Sequence, residues 1–161
     1  VIDADGLNYL AENPAFDNHW VLTPHPGEAA RLLSTSTQVI NADRFSASQD
    51  IAKKYGGICV LKGAGTVISD NSGRQSLCLG GNPGMASGGM GDLLTGIIGG
   101  LLAQGFKPFG AAQLGVAIHA EAADRAAGIN KCYRGLLASD LLSQLPALLN
   151  PNKHTNDCSG D

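Results

Sequence analysis

The sequence predicts an α/β domain in which a mostly parallel sheet is flanked by helices. Strand-length apolar runs alternate with helix-length periodic segments, and glycine and proline punctuate the changes between them. One run, Ile58–Leu61, is apolar at every position, as a strand covered on both faces must be. With 161 residues, 43% of them hydrophobic and 16% charged, the chain suits one domain and can fill a core.

Residues 1–5 read as the end of a buried strand, and residues 7–11 as a short helix capped by Asp5. Because chains rarely start inside a core strand, residues 1–150 are expected to be the C-terminal part of a longer domain. Residues 20–23 form a short strand ended by Pro24. Pro26 then opens a helix through Leu33, with Glu28 in its first turn. Residues 41–55 carry helical spacing in Ala42, Phe45, Ile51, Ala52 and Tyr55, and Gly56-Gly57 ends that helix. After Ile58–Leu61, strands at 66–69 and 75–79 flank Asn71-Ser72-Gly73-Arg74, a hairpin signal. A glycine-rich loop over 80–91 leads into a helix from Asp92 to about Gln104, and Pro108 starts a long helix to about Ala127. A last helix spans 139–149, kinked or shortened by Pro146. Residues 151–161 form a polar tail expected to be disordered.

A formal charge of −3 leaves no basic face for nucleic acid or an anionic membrane surface. The apolar stretches are broken by glycine and charge before they reach bilayer length, and no signal peptide is visible. Cys59, Cys78, Cys132 and Cys158 are far apart, with no zinc-type spacing, and Cys59 reads as a buried thiol. A reducing cytoplasm is the expected location.

Three segments carry chemistry. In Asn82-Pro83-Gly84-Met85-Ala86-Ser87-Gly88-Gly89-Met90-Gly91-Asp92, glycines free the backbone amides and a helix N-terminus follows, which together make an anion cradle. Asp92 is placed to take a proton from a hydroxyl attacking a phosphoryl group, though aspartate at a helix start also suits a plain cap. The segment is neither GxGxxG, since Leu94 stands where the third glycine belongs, nor a phosphate loop of the Walker type, since Met90 follows Gly89.

Lys62-Gly63-Ala64-Gly65-Thr66 follows a strand, where α/β sheets bind ligands; the plainer reading is a hairpin with an exposed lysine. Thr23-Pro24-His25-Pro26-Gly27-Glu28 is a stiff loop that projects His25, which by itself reads as solvated. Asp3, Asp5 and Asn8 suit capping and turn roles. His119 and Glu121 lie in an alanine-rich helix best explained by packing, and Trp20, Ile97, Ile98, Leu101 and Leu102 are core residues.

Taken in order with residues 1–8, these segments resemble the signatures of ADP-dependent (S)-NAD(P)H-hydrate dehydratases, over nearly the whole chain to about residue 140. The resemblance implies a ribokinase-like fold, commonly a homotetramer and often preceded by an epimerase domain. It implies conversion of the S form of hydrated NADH or NADPH back to the intact cofactor, with ADP split to AMP and phosphate and Mg2+ required. By resemblance Lys62, Gly63, Ala64, Gly65, Thr66 and Gly91 contact the nucleotide. His25 and Asp92 contact the hydrated nicotinamide nucleotide, and Asp92 is the catalytic base. The family domain is considerably longer than this chain, so an uncovered sheet edge and a weakly active or inactive isolated chain are expected. Two alternatives stay open: a kinase of the same fold acting on a hydroxyalkyl heterocycle, and a nucleotide-binding module without catalysis.

Overall fold

Ile58–Leu61 is apolar throughout because both its faces are covered. As strand β2 it sends Cys59 and Leu61 into one cluster of buried side chains and Ile58 and Val60 into another. The computed structural model describes residues 1–130 and 132–150; the tail expected over 151–161 lies outside the described residues.

Along the chain come α1 (Asp5–Glu12), β1 (Val21–Leu22), α2 (Pro26–Leu32), α3 (Thr37–Ala42), α4 (Arg44–Tyr55) and β2. They are followed by β3 (Thr66–Asp70), β4 (Gln75–Cys78), a short 3-10 turn at Pro83–Met85, α5 (Met90–Ala103), α6 (Pro108–Asn130), α7 (Ala138–Leu142) and α8 (Leu145–Leu149). The strands lie in the order β1-β2-β3-β4, and Ile2 bridges in parallel to Leu22. Helices α1 to α4 pack on one face of the sheet, with Leu7, Leu32, Ile40 and Ile51 in their cluster. Helices α5 and α6 cover the other face through Ile98, Leu101, Ala112 and Val116. A third cluster joins Met90 to α6 and α7 through Ala122, Ala126 and Leu141. Each fully buried Leu or Ile here contributes about 1.5–3 kcal/mol relative to exposure.

The α/β layering is as expected, but the sheet is mixed rather than mostly parallel. Strands β1 and β2 run parallel, whereas β2–β3 and β3–β4 are antiparallel. Connection length decides this. Residues 62–65 and 71–74 are too few for the crossover of about a dozen residues that a parallel pair needs, so each connection turns straight back.

Smaller departures have local causes. The helix expected over 41–55 is two helices, because Asp43 accepts from the Ser46 amide at 2.9 Å and so starts α4 afresh. Asp5 does not cap α1. Ala4 holds the cap position with φ 49°, without a side-chain cap, and Asp5 sits in the first turn. The single helix expected over 139–149 is split into α7 and α8, with Pro146 in the first turn of α8, where its missing N–H is tolerated. Among the described residues no helix is long and apolar enough to cross a membrane.

Candidate active site

The connection after β2, the end of β4, the glycine-rich segment and α6 enclose a cleft of about 760 Å³. Three separate stretches singled out in the sequence line it together: His25; Lys62, Gly63, Ala64, Gly65 and Thr66; and Gly91. Asp92, the next residue, does not line the wall. It lies in the first turn of α5, exposed, and its side chain makes no hydrogen bond among the described residues. The capping role is therefore not what holds it. Gly89, with φ +83°, occupies the cap position and no side chain caps α5. The first-turn amides of this 14-residue helix are left open, with the positive end of the helix dipole behind them.

His25 is fixed by its own helix. Its Nδ1 accepts from the amides of Gly27 at 2.9 Å and Glu28 at 3.3 Å, while Glu28 Oε2 accepts from the His25 amide at 2.7 Å. This reciprocal cap starts α2 and also sets the ring. With Nδ1 accepting, a neutral imidazole carries its proton on Nε2, which lies 3.5 Å from Glu28 Oε1, while the half-exposed ring lines the cleft.

Lys62 is held by groups distant in sequence. Its Nζ donates to Asp3 Oδ1 at 2.8 Å and lies 4.0 Å from Glu28 Oε2, and Thr95 donates to the other Asp3 oxygen at 3.0 Å. Burial alone would raise the Asp3 carboxyl, but the Lys62 hydrogen bond and charge, with Thr95, outweigh it and hold Asp3 below the ordinary carboxylate value. Gly91 lies directly beside the pair: a Cβ there would stand 3.2 Å from Lys62 Nζ and 3.4 Å from Asp3 Oδ2. Any larger residue at that position would crowd the space where an anion could meet both the ammonium and the open helix end.

His119 also lines the cleft, buried to 6% exposure, with Nε2 lacking a partner. Burial, with the Lys62 charge adding, pushes its pKa down to about 4, so the ring is neutral near pH 7. On the far side Asp124 fixes the glycine-rich segment, accepting from the Gly81 amide at 3.0 Å and from the Asn82 side chain at 2.9 Å.

In sequence Asp3 suits a turn, and no motif marks Thr95, Asp124 or Cys78, the last of which also lines the cleft. Thr95 carried one usable signal: it stands four residues after Gly91 on the same helix face. Asn8 is not brought to the cleft. It accepts from Arg31 at 2.7 Å in a separate, more open groove of about 520 Å³ with Ala11 and Glu12.

The family model described as NAD(P)H-hydrate dehydratase, of the carbohydrate-kinase type, matches residues 1–147. The chain belongs to the NAD(P)H-hydrate dehydratase family. Among its relatives, a bifunctional NAD(P)H-hydrate repair enzyme of Coxiella burnetii is 56% identical over 151 residues, covering 94% of this chain and 31% of that protein. An ADP-dependent (S)-NAD(P)H-hydrate dehydratase of Neisseria meningitidis is 42% identical, covering 88% of this chain and 50% of that one. The structure of the ADP/ATP-dependent NAD(P)H-hydrate dehydratase of Bacillus subtilis, co-crystallized with ATP/Mg2+, superposes with a TM-score of 0.79 at 30% identity, over 92% of this chain and 53% of that chain. A ribokinase-like superfamily protein of Enterococcus faecalis gives 0.78 at 30% identity, so the fold of this dehydratase-family chain is ribokinase-like. The chain spans about half the length of these solved dehydratases and about a third of the bifunctional relatives.

Proposed function

We propose that the chain carries out the ADP-dependent dehydration of the S form of hydrated NADH or NADPH, returning the intact cofactor with AMP and phosphate. One observation carries this reading: the loop from Lys62 to Thr66, His25 and Gly91 share a single cleft at an uncapped helix N-terminus, next to an uncommitted carboxylate. Lys62, Gly63, Ala64, Gly65, Thr66 and Gly91 hold the nucleotide, and His25 and Asp92 hold the hydrated nicotinamide.

The chemistry follows from leaving groups. Water added to the nicotinamide ring leaves a hydroxyl, which departs poorly. Asp92 takes the hydroxyl proton as that oxygen attacks the β-phosphorus of ADP; the bond to the bridging oxygen breaks and AMP leaves. The C–O bond of the phosphorylated adduct then breaks, phosphate departs with the electron pair, and loss of a ring proton restores the double bond. The amides of the first turn of α5 and the Lys62 ammonium stabilise charge on the transferring group; a preorganised donor of this kind is worth on the order of 3 kcal/mol.

The described residues contain no group of three His, Cys, Asp or Glu side chains able to cage a metal. Magnesium on this reading rides on the nucleotide phosphates, as Mg2+ commonly does, and no step is assigned to it. Work on reduced cofactors suits a cytoplasmic location, in keeping with Cys59, Cys78 and Cys132, which are unpaired among the described residues. An accompanying epimerase unit and a homotetramer belong to the same proposal, and sedimentation tests the latter.

Incubation of the chain with hydrated NADH and ADP tests the reading. Slow recovery of the reduced-nicotinamide absorbance, with AMP and phosphate in equal amounts, supports it; full turnover supports the activity and overturns the expectation that the isolated chain is weakly active or inactive. A stable phosphorylated product from a hydroxyalkyl heterocycle, with no recovery of absorbance, transfers the chain to the kinases of this fold.

A further inference from the structure

The connection after β2 is wrapped around a cation supplied by another element. Arg44, the first residue of α4, donates from Nη2 to the carbonyls of Leu61 at 3.0 Å, Lys62 at 3.3 Å and Gly65 at 3.1 Å, gripping both ends of the loop. Gly63 permits this approach: a Cβ there would lie 2.9 Å from Nη1 and 3.0 Å from Nη2. No ion pair involves Arg44 among the described residues, so loop carbonyls are the groups that face its charge.

The arrangement sets the polarity of the loop. A trans peptide points its C=O and N–H in opposite directions, and none of the described peptide bonds is cis. Carbonyls of Leu61, Lys62 and Gly65 turned toward the guanidinium therefore turn the amides of Lys62, Gly63 and Thr66 away from it. The Lys62 amide is taken by the Pro24 carbonyl at 2.8 Å. Among the described residues the amides of Gly63, Ala64 and Gly65 meet no backbone or side-chain acceptor, and all three residues line the cleft. Arg44 itself does not line it.

We propose that Arg44 is the positioning residue of this loop: by holding the Leu61, Lys62 and Gly65 carbonyls it turns the Gly63 amide away from the guanidinium and anchors both ends of the turn that carries the amides of Ala64 and Gly65, so that these amides stand ready for the anionic oxygens of a nucleoside diphosphate. The choice of ligand rests on the nucleotide reading above; the polarity of the loop does not. Arg44 acts through the backbone and makes no contact with the ligand.

The test uses R44M, which keeps the unbranched stem, and R44K, which keeps the charge on a shorter reach. Backbone 15N order parameters and calorimetric ADP titration are measured on the full chain. In R44M the amides of Gly63, Ala64 and Gly65 are expected to fall from about 0.85 to below about 0.6, while Cys59 and Val60 stay rigid. The ADP Kd is expected to rise about tenfold, or about 1.4 kcal/mol, with R44K intermediate. Unchanged loop order, or a loosened loop with unchanged ADP affinity, overturns the proposal. A wild-type chain that binds no ADP removes the nucleotide reading, and the order parameters then decide the positioning role alone, a fall supporting it and constancy refuting it. Should R44M lose the β2 signals altogether, R44K decides on the same criteria.

Discussion

Lys62 and Asp3 stand 59 residues apart in the chain, yet Nζ of one lies 2.8 Å from Oδ1 of the other. Both side chains are largely buried, at 20% and 11% exposure. Removing the cation alone strands a carboxylate, at a cost of about 3 kcal/mol. K62M is therefore expected to lower the urea midpoint sharply, and K62M combined with D3N to recover at least about 1 kcal/mol of that loss. Strict additivity of the two changes would show that the contact carries no coupling.

Asp92 is exposed and hydrogen-bonds nothing among the described residues, so it can be changed without disturbing the fold. D92N is expected to alter stability by less than about 0.5 kcal/mol. ADP affinity should hold while turnover of hydrated NADH falls by about 10² to 10⁴. Turnover equal to wild type removes Asp92 as the base, and a large fall in Tm returns it to a structural role.

His119 links stability to acid. Its pKa is pushed from 6.5 down to about 4 by burial and by Lys62. The unfolded chain thus binds a proton between those values that the folded chain refuses. Stability from this residue is complete above about pH 6.5 and declines as pH falls toward 4, by on the order of 3 kcal/mol in all. Urea titrations at pH 7 and pH 4.5 should show a steeper loss in the wild type than in H119L. Parallel losses in the two proteins would place the acid sensitivity in the carboxylates instead.

The cysteines sort by environment. Burial pushes the Cys59 thiol up to about 12, Cys78 lines the cleft, and Cys132 is exposed. Iodoacetamide followed by peptide mapping should find Cys132 modified quickly, Cys78 more slowly and Cys59 not at all in the native chain. Saturating ADP should slow modification of Cys78 and leave Cys132 unaffected. Equal protection of both would point to a general tightening rather than to a ligand in the cleft.

Much of this was legible in local sequence, and the failures share a cause. Pro26 and Pro108 mark helix starts because a missing N–H costs nothing in a first turn. Asn71 to Arg74 turn a hairpin as their composition requires. Asp43 was passed over because apolar spacing runs on across it, whereas its carboxylate prefers the Ser46 amide to a place inside a helix. The partners of Lys62 could not be read at all, since nothing near residue 62 encodes a carboxylate at residue 3 or a hydroxyl at residue 95. His119 reads as packing in an alanine-rich helix; it is indeed buried, and only the arrangement of α6 beside the cleft exposes its second aspect. Arg44 gave no signal, because its partners are carbonyls, which every residue possesses.

Strand β2, apolar on both faces, cannot tell by hydrophobicity alone which way it should be aligned: sliding it by one residue would exchange two greasy surfaces for two others. Its alignment is marked from outside the strand, by the four-residue connection into β3 and by Lys62, whose amide meets Pro24 and whose ammonium meets Asp3. The lysine that faces the cleft thus also helps index the sheet, and a chain that mispaired here would misplace its chemistry in the same stroke.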